Sequence, residues 1–410
     1  MSNESGGEHV DEDRERLTPY VRRIRVCLLG LAMGCGDAEE HPDLPVGPTL
    51  SGQHVVVTNA SGKRLCAGSM AYMDEFVVRT SKLFSFAPPT GDARIHAYWL
   101  PPSQVEEFCD ADVPGCTRGD VVFTSWMPLN HELVHAMTHP LGRSLPLLEE
   151  GLAVAHEGLS GDLIDTQLAP GTQDIRILAD LSALEIGSIA GGYTLAGAFS
   201  ASLIAEHGID RYLDLYAMLD VDADPAAIES AFLGTLGRTF EEVAASFEKA
   251  HPCAHVEYDA KSLECSAPGL AWDGDQLRMN RSIECEQADV VGPFADRITA
   301  LYTVNIEEDG RYELRLDGDD QESASYPDLT YNGSAVRGVS MVRCGGCGEG
   351  GFITTREGDR PRALSIRAGR YSLRLHAPVS ERSELGFSLT RVPDGELGAL
   401  TTGGLASRND

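Results

Sequence analysis

Basic residues are scarce in this chain relative to acidic ones. It carries 33 lysines and arginines against 63 aspartates and glutamates, a formal net charge of -30. Phosphate contacts require concentrated Lys and Arg, so the balance excludes nucleic acid as a partner and excludes a polybasic membrane-surface binder. Also missing are a GxSxG elbow, a phosphate-binding P-loop and a dinucleotide glycine motif, which removes nucleophilic-serine, nucleotide and hydride-transfer chemistry of the usual kinds. The apolar run before Cys35 is too short to span a bilayer as a helix. What remains is an ordinary folded composition, 42% apolar and 23% charged, in 410 residues, enough for two domains with a core in each.

The N-terminus points to export. Residues 1–15 are polar and mostly acidic, but from Val21 the chain reads VRRIRVCLLGLAMGC, three arginines and an apolar run with small residues before Cys35. Leu31-Ala32-Met33-Gly34-Cys35 resembles a bacterial lipobox, which implies a lipid anchor on Cys35 as the sole membrane attachment, with Val21 as the natural start. The expected location is the bacterial cell envelope or outside the cell, as an outer-membrane lipoprotein. Ten cysteines agree: with Cys27 and Cys35 in the signal region, an even set of eight is left for disulfides in an oxidising compartment. Cys109 with Cys116 and Cys253 with Cys265 are the local pairings expected, although sequence cannot fix the full set.

Residues 36–50 are acidic and proline-rich, a linker. Strand-like segments follow at 54–59, 93–100 and 119–124, with a helix over 66–84 whose Met70, Met73, Phe76, Val77 and Leu83 fall at helical spacing. From Pro146 the chain reads as helices: one over LLEEGLAVAHEG, one over 175–186, then 192–207, 210–219, 225–236 and 239–250. Residues 51–255 thus make one α+β unit. After Cys265 the texture is β: ITALYTVNI at 298–306 and RYELRL at 311–316 look like hairpin partners across Glu307–Gly310. Similar strands recur at 363–366, 370–377 and 385–392, which predicts a small all-β sandwich over residues 270–395 and a tail over 396–410.

The chemistry concentrates between Asn130 and Gly151. His131 and His135 are one helical turn apart on one face, so both imidazoles can reach one metal ion, and Glu132 lies beside its open position as a base toward water. Thr138 and Leu141 occupy the positions where a metzincin has its glycine and third histidine, so that class is excluded. His139 precedes Pro140 and reads as a helix-end residue. A short loop downstream, the segment Leu147-Leu148-Glu149-Glu150-Gly151-Leu152-Ala153 carries two further carboxylates, about 100° apart around the helix.

That segment resembles the L-x-E-G-x-A helix of gluzincin (HExxH…E) zinc metallopeptidases, over residues 50–255 and most specifically over 131–151. By position the resemblance implies Zn2+ on His131, His135 and Glu150, with Glu149 as the alternative ligand. The fifteen-residue spacing from His135 is shorter than in the best-known members, and no tryptophan precedes the glutamate. Gly192-Tyr193-Thr194-Leu195-Ala196-Gly197-Ala198 resembles the tyrosine segment of aminopeptidase-type members, which implies Tyr193 as the oxyanion donor. The fold implied is zincin-like, a small mixed sheet plus helices, with strand 121–124 as the edge for an extended peptide or protein substrate. The expected function is exported zinc-dependent peptide hydrolysis with Glu132 as base. The alternatives are a surface binding or adhesion lipoprotein that keeps the metal without turnover, and a structural protein with no metal.

Other groups favour plainer readings. Cys344-Gly-Gly-Cys347 lacks a second CxxC and reads as disulfide-bonded cysteines. His251-Pro-Cys253-Ala-His255 reads as a bridge from Cys253 rather than a metal site. Asp317-Gly-Asp319-Asp320 lacks calcium-loop spacing and reads as a solvated turn.

Overall fold

The computed structural model describes residues 44–110, 113–158, 174–189, 191–249, 262–294, 296–318, 337–344, 353–356, 361–379 and 382–393. The expected signal region and lipobox with Cys35, residues 251–255, Cys347, Asp319, Asp320 and the expected 396–410 tail lie outside them.

The first sheet is built from short β-branched and aromatic segments. β1 (Thr49–Ser51) and β2 (Val55–Asn59) precede α1 (Ser69–Leu83), which buries Tyr72, Met73, Phe76, Val77 and Thr80 on one face. Asp74 of α1 accepts the backbone N–H groups of Gln53, His54 and Val55 at 2.7, 2.8 and 3.2 Å, which seats the helix on the start of β2. β3 (Ile95–Trp99) follows, then α2 (Pro102–Val105), β4 (Gly115–Arg118) and β5 (Val121–Thr124). The sheet order is β1-β2-β3-β5-β4; β2, β3 and β5 run parallel, while β1 and β4 are antiparallel to their neighbours.

The expected substrate edge at 121–124 is corrected by this order. β5 is hydrogen-bonded on both sides, and β4 is the outer strand. Gly-Cys-Thr-Arg has no apolar alternation, so β4 leaves no strand pattern in the sequence. Val55, Val57, Ala97, Trp99 and Val122 face the helices, while Leu100, Val105, Phe108 and Phe123 form a small cluster on the other face. The Cys109–Cys116 disulfide closes that second cluster.

The helices come next: α3 (Asn130–Thr138), α4 (Pro146–His156), α5 (Ile175–Ala179), α6 (Ala183–Ser188), α7 (Gly192–His207), α8 (Ile209–Met218), α9 (Pro225–Leu236) and α10 (Phe240–Lys249). The single helix expected over 175–186 is two. Ser182 starts α6 with a reciprocal capping box to Glu185, a local alternative that wins over continuing the preceding turn. α4 and α7 approach closely because position 151 is glycine. A Cβ there would stand 2.1 Å from Ser200 Oγ and 2.6 Å from the Ala196 carbonyl oxygen. Tyr212 of α8 locks the pair, its hydroxyl lying 2.7 Å from the Leu148 carbonyl and 2.8 Å from Ser200 Oγ.

After α11 (Ser262–Cys265) the chain is β: β6 (Gln276–Ile283), β7 (Val290–Phe294), β8 (Arg297–Ile306), β9 (Gly310–Gly318), β10 (Gly338–Arg343), β11 (Ile353–Arg356), β12 (Arg362–Ile366), β13 (Gly369–Pro378) and β14 (Ser383–Val392). They form two sheets, β11-β10-β13-β8-β7 and β12-β9-β14-β6, whose inward residues share one core, among them Val304, Leu314, Leu373 and Phe387. The fold is therefore mixed α and β, with helices and strands largely segregated along the chain. The expected β8–β9 hairpin is wrong: β8 pairs with β7 and β13, β9 with β12 and β14. Period-two alternation is the same for a hairpin and for strands facing each other across a core, and the 307–309 connection crosses between the sheets.

Two further disulfides join distant segments, Cys66–Cys285 and Cys265–Cys344. The second overturns the expected Cys253–Cys265 pair, because α11 packs on β8 and β13 beside the end of β10. The first bridges the two halves, where Cys66, Ala67 and Gly68 donate their backbone N–H groups to Gly292, Cys285 and Val290. A Cβ at Gly68 would lie 2.7 Å from the carbonyl oxygens of Ala288 and Val290, so glycine permits the approach. Val291 inserts into the helical half's core, and Arg374 of β13 meets the buried carboxylate of Glu264 at 2.6 Å.

Gly151→Ala is expected to destabilise the protein by about 2 kcal/mol, the ordinary cost of overpacking a tight contact, as read by urea unfolding. Unchanged stability would mean that α4 and α7 are not in contact at this point.

Candidate metal centre

The site depends on where α3 starts and what faces it. The Asn130 side-chain amide donates to Tyr72 Oη at 2.9 Å and to the Glu157 carbonyl at 2.8 Å, tying α1, α3 and the end of α4 together. His131 and His135 then project from successive turns with ring centroids 4.8 Å apart. From α4, Glu150 Oε2 lies 3.1 Å from His131 Nε2 and 3.6 Å from His135 Nε2. One ligand atom from each of these three residues lies within 4.8 Å of the others, close enough to hold a single metal ion.

Glu149 points elsewhere. Its carboxylate accepts from Arg143 Nε at 2.8 Å, which accounts for its burial and keeps it out of the histidine group. Glu132 is buried at 7% exposure, and its Oε2 accepts from Thr117 Oγ1 of β4 at 2.8 Å. The Tyr193 ring stands edge-on to His131 at 5.9 Å, and its hydroxyl lies 3.5 Å from the Ala183 carbonyl. His139 sits past α3 in a 3-10 turn, exposed and outside the group. His156 is buried against Phe84, neither ring nitrogen is hydrogen-bonded, and burial pushes its pKa down to about 3, so it is a neutral core residue.

Two participants escaped the sequence reading. Glu157 Oε2 is 2.9 Å from His131 Nδ1, a carboxylate–histidine contact of the kind that would fix the tautomer of a ligating histidine and leave Nε2 facing Glu150. It stands seven residues after Glu150, two helical turns along the same face, and that spacing was available to find it. Thr117 carried no comparable mark.

The donor set fits a divalent cation. Glu132, Glu150 and Glu157 are all under a tenth exposed, and no Lys or Arg pairs with Glu132 or Glu150 among the described residues. Burial alone would lower the His131 pKa, yet hydrogen bonds and charge from Glu150 and Glu157 hold it well above the ordinary value. His135 likewise is raised, burial being outweighed chiefly by the Glu150 charge. Burial would raise Glu150, but His135 and His131 overcome it and hold the carboxyl far below the usual range. Without a metal the pocket recruits protons to balance its carboxylates; a cation supplies that charge directly.

Glu150→Ala is expected to abolish stoichiometric metal binding, while Glu149→Ala keeps it, as measured by metal analysis after dialysis. Glu157→Ala should weaken affinity roughly 10- to 100-fold, the usual cost of losing such a contact. The reverse order at 149 and 150 would move the ligand by one residue. A pH dependence follows as well. Both imidazoles hold a proton to higher pH than an ordinary histidine, so protons compete with the metal at every pH below those raised values. Affinity should therefore rise with pH by up to about 100-fold per unit, with release of up to two protons per ion. Titration calorimetry in buffers of different ionisation enthalpy measures that release, and a pH-independent affinity contradicts it.

No family model matches the chain, and no curated protein does. Among solved structures, a crystal structure of a protein from Sulfurospirillum deleyianum aligns over 28% of this chain and 97% of its own, at 13% identity and a TM-score of 0.16, too low to argue a shared fold.

Proposed function

We propose that the chain is a zinc-dependent peptidase of gluzincin type that works outside the cytoplasm. The observation that carries this reading is the convergence of His131, His135 and Glu150 beside a buried glutamate on the same helical turn. Two imidazoles and one carboxylate make a three-ligand zinc set that leaves a position open, the donor pattern of a catalytic rather than a structural site. When bound, the ion would supply Lewis-acid polarisation of the scissile carbonyl and activation of water.

The chain's own groups do the remaining work. Glu132 takes the proton from the attacking water and delivers it to the leaving amine nitrogen. Tyr193, an exposed residue whose ring stands beside His131, donates its hydroxyl to the carbonyl oxygen as that oxygen gains charge. Glu157 keeps His131 in one tautomer. The role of pairing with an extended substrate passes to β4, the outer strand and the one that touches Glu132.

The three disulfides among the described residues suit an oxidising compartment. No helix among the described residues is long and apolar enough to cross a membrane, and attachment through lipid on Cys35 is part of the proposal.

Glu132→Gln keeps the shape and the metal ligands but removes the base. It should retain zinc content and lose at least ~100-fold in kcat on dye-quenched casein. Equal activity in wild type and variant rejects the mechanism. A wild type that binds zinc but cleaves nothing in a broad peptide library favours a binding module instead.

A further inference from the structure

The general base has a holder that lies outside the metal-binding helices. Resting on the peptidase reading above, we propose that Thr117, on the outer strand β4, is the positioning residue for Glu132. Its hydroxyl oxygen is 2.8 Å from Glu132 Oε2 and 3.0 Å from the Glu132 backbone carbonyl. A hydroxyl has one proton, and a charged carboxylate is the stronger acceptor, so the donation goes to Oε2. No other side chain among the described residues bonds this carboxylate.

A glutamate has three side-chain torsions, and its terminal one is broad, so an unheld carboxylate samples many orientations. Pinning Oε2 removes that freedom and makes Oε1 the oxygen left to accept a proton from water. Oε1 carries no partner among the described residues and is not sealed from solvent. The single contact therefore gives the carboxylate two unlike oxygens, one held and one reactive. Proton transfer depends steeply on such placement.

The strand itself is held firmly enough to act as the reference. Cys116, the residue before Thr117, is bonded to Cys109 and faces the cluster of Leu100, Val105, Phe108 and Phe123, while Thr117 faces α3 on the other side of the sheet. On its inner side β4 is paired residue by residue with β5, Thr117 opposite Val122. The strand that would receive a substrate backbone thus also sets the base, so substrate and proton acceptor share one frame.

The test uses the zinc-loaded full chain and dye-quenched casein, comparing wild type with Thr117→Val, Thr117→Ser and Thr117→Ala. Thr117→Val is isosteric and lacks the hydroxyl. It should lose roughly 10-fold or more in kcat with KM within about twofold, while zinc content stays at the wild-type value and the melting temperature falls by only a few degrees, the cost of one lost hydrogen bond to a buried carboxylate. Thr117→Ala should match it, which covers failure of either variant to fold. Thr117→Ser restores the donor and should return kcat to within about threefold of wild type. Full kcat in folded Thr117→Val or Thr117→Ala, or a Thr117→Ser as impaired as they are, overturns the assignment and leaves the peptidase reading standing. A zinc-loaded wild type that does not cleave casein or a broad peptide library overturns both.

Discussion

Three carboxylates and two imidazoles are packed into one pocket with little access to water, and each anion there must be matched by a proton, a hydrogen bond or a cation. Removing a carboxylate from water costs several kcal/mol when it is left alone. Here Glu150 is met by both imidazoles, Glu157 by the far nitrogen of His131, and Glu132 by the Thr117 hydroxyl. Satisfying all three at once requires α3, the far end of α4 and β4 to meet at one place. Much of the surrounding structure can be understood as serving that meeting. Asn130 fastens the start of α3 to the end of α4, and the glycine at 151 lets α7 support α4 from behind.

Helical periodicity carried most of what the sequence disclosed. The α3 and α4 segments and the 192–207 and 225–236 helices were legible because apolar spacing, prolines at first turns and closing glycines agree with one another. The histidine pair was legible for the same reason, since i, i+4 spacing on a helix fixes which side chains meet. Strand partnership was not. A pleated strand declares which face is buried but not which neighbour it bonds, so β8 and β9 read as a hairpin although they lie in different sheets. The outer strand β4 is four residues without apolar alternation, and the expected edge was placed one strand inward.

Long-range contacts account for the remaining differences. Cys265 has Cys253 twelve residues before it and Cys344 seventy-nine after it, and tertiary packing selects the distant partner. The choice between Glu149 and Glu150 was open in one dimension, because adjacent helical positions differ only in direction. Arg143, six residues before Glu149, removes that carboxylate from the site through an ion pair that spacing alone does not announce. Thr117 belongs to the same class: one hydroxyl, fifteen residues from the group it serves, with no pattern around it.

The Cys66–Cys285 bond encloses nearly all of the helical half, including every residue of the metal pocket, in one covalent ring. A backbone cut anywhere between those two cysteines leaves a single molecule, since the segment before the cut keeps Cys66 and the segment after it keeps Cys285. For a chain exposed to proteolysis, nicking inside that ring does not release a fragment that carries off part of the pocket. The β half, bonded at residue 285, closes the ring as much as it adds mass beside it.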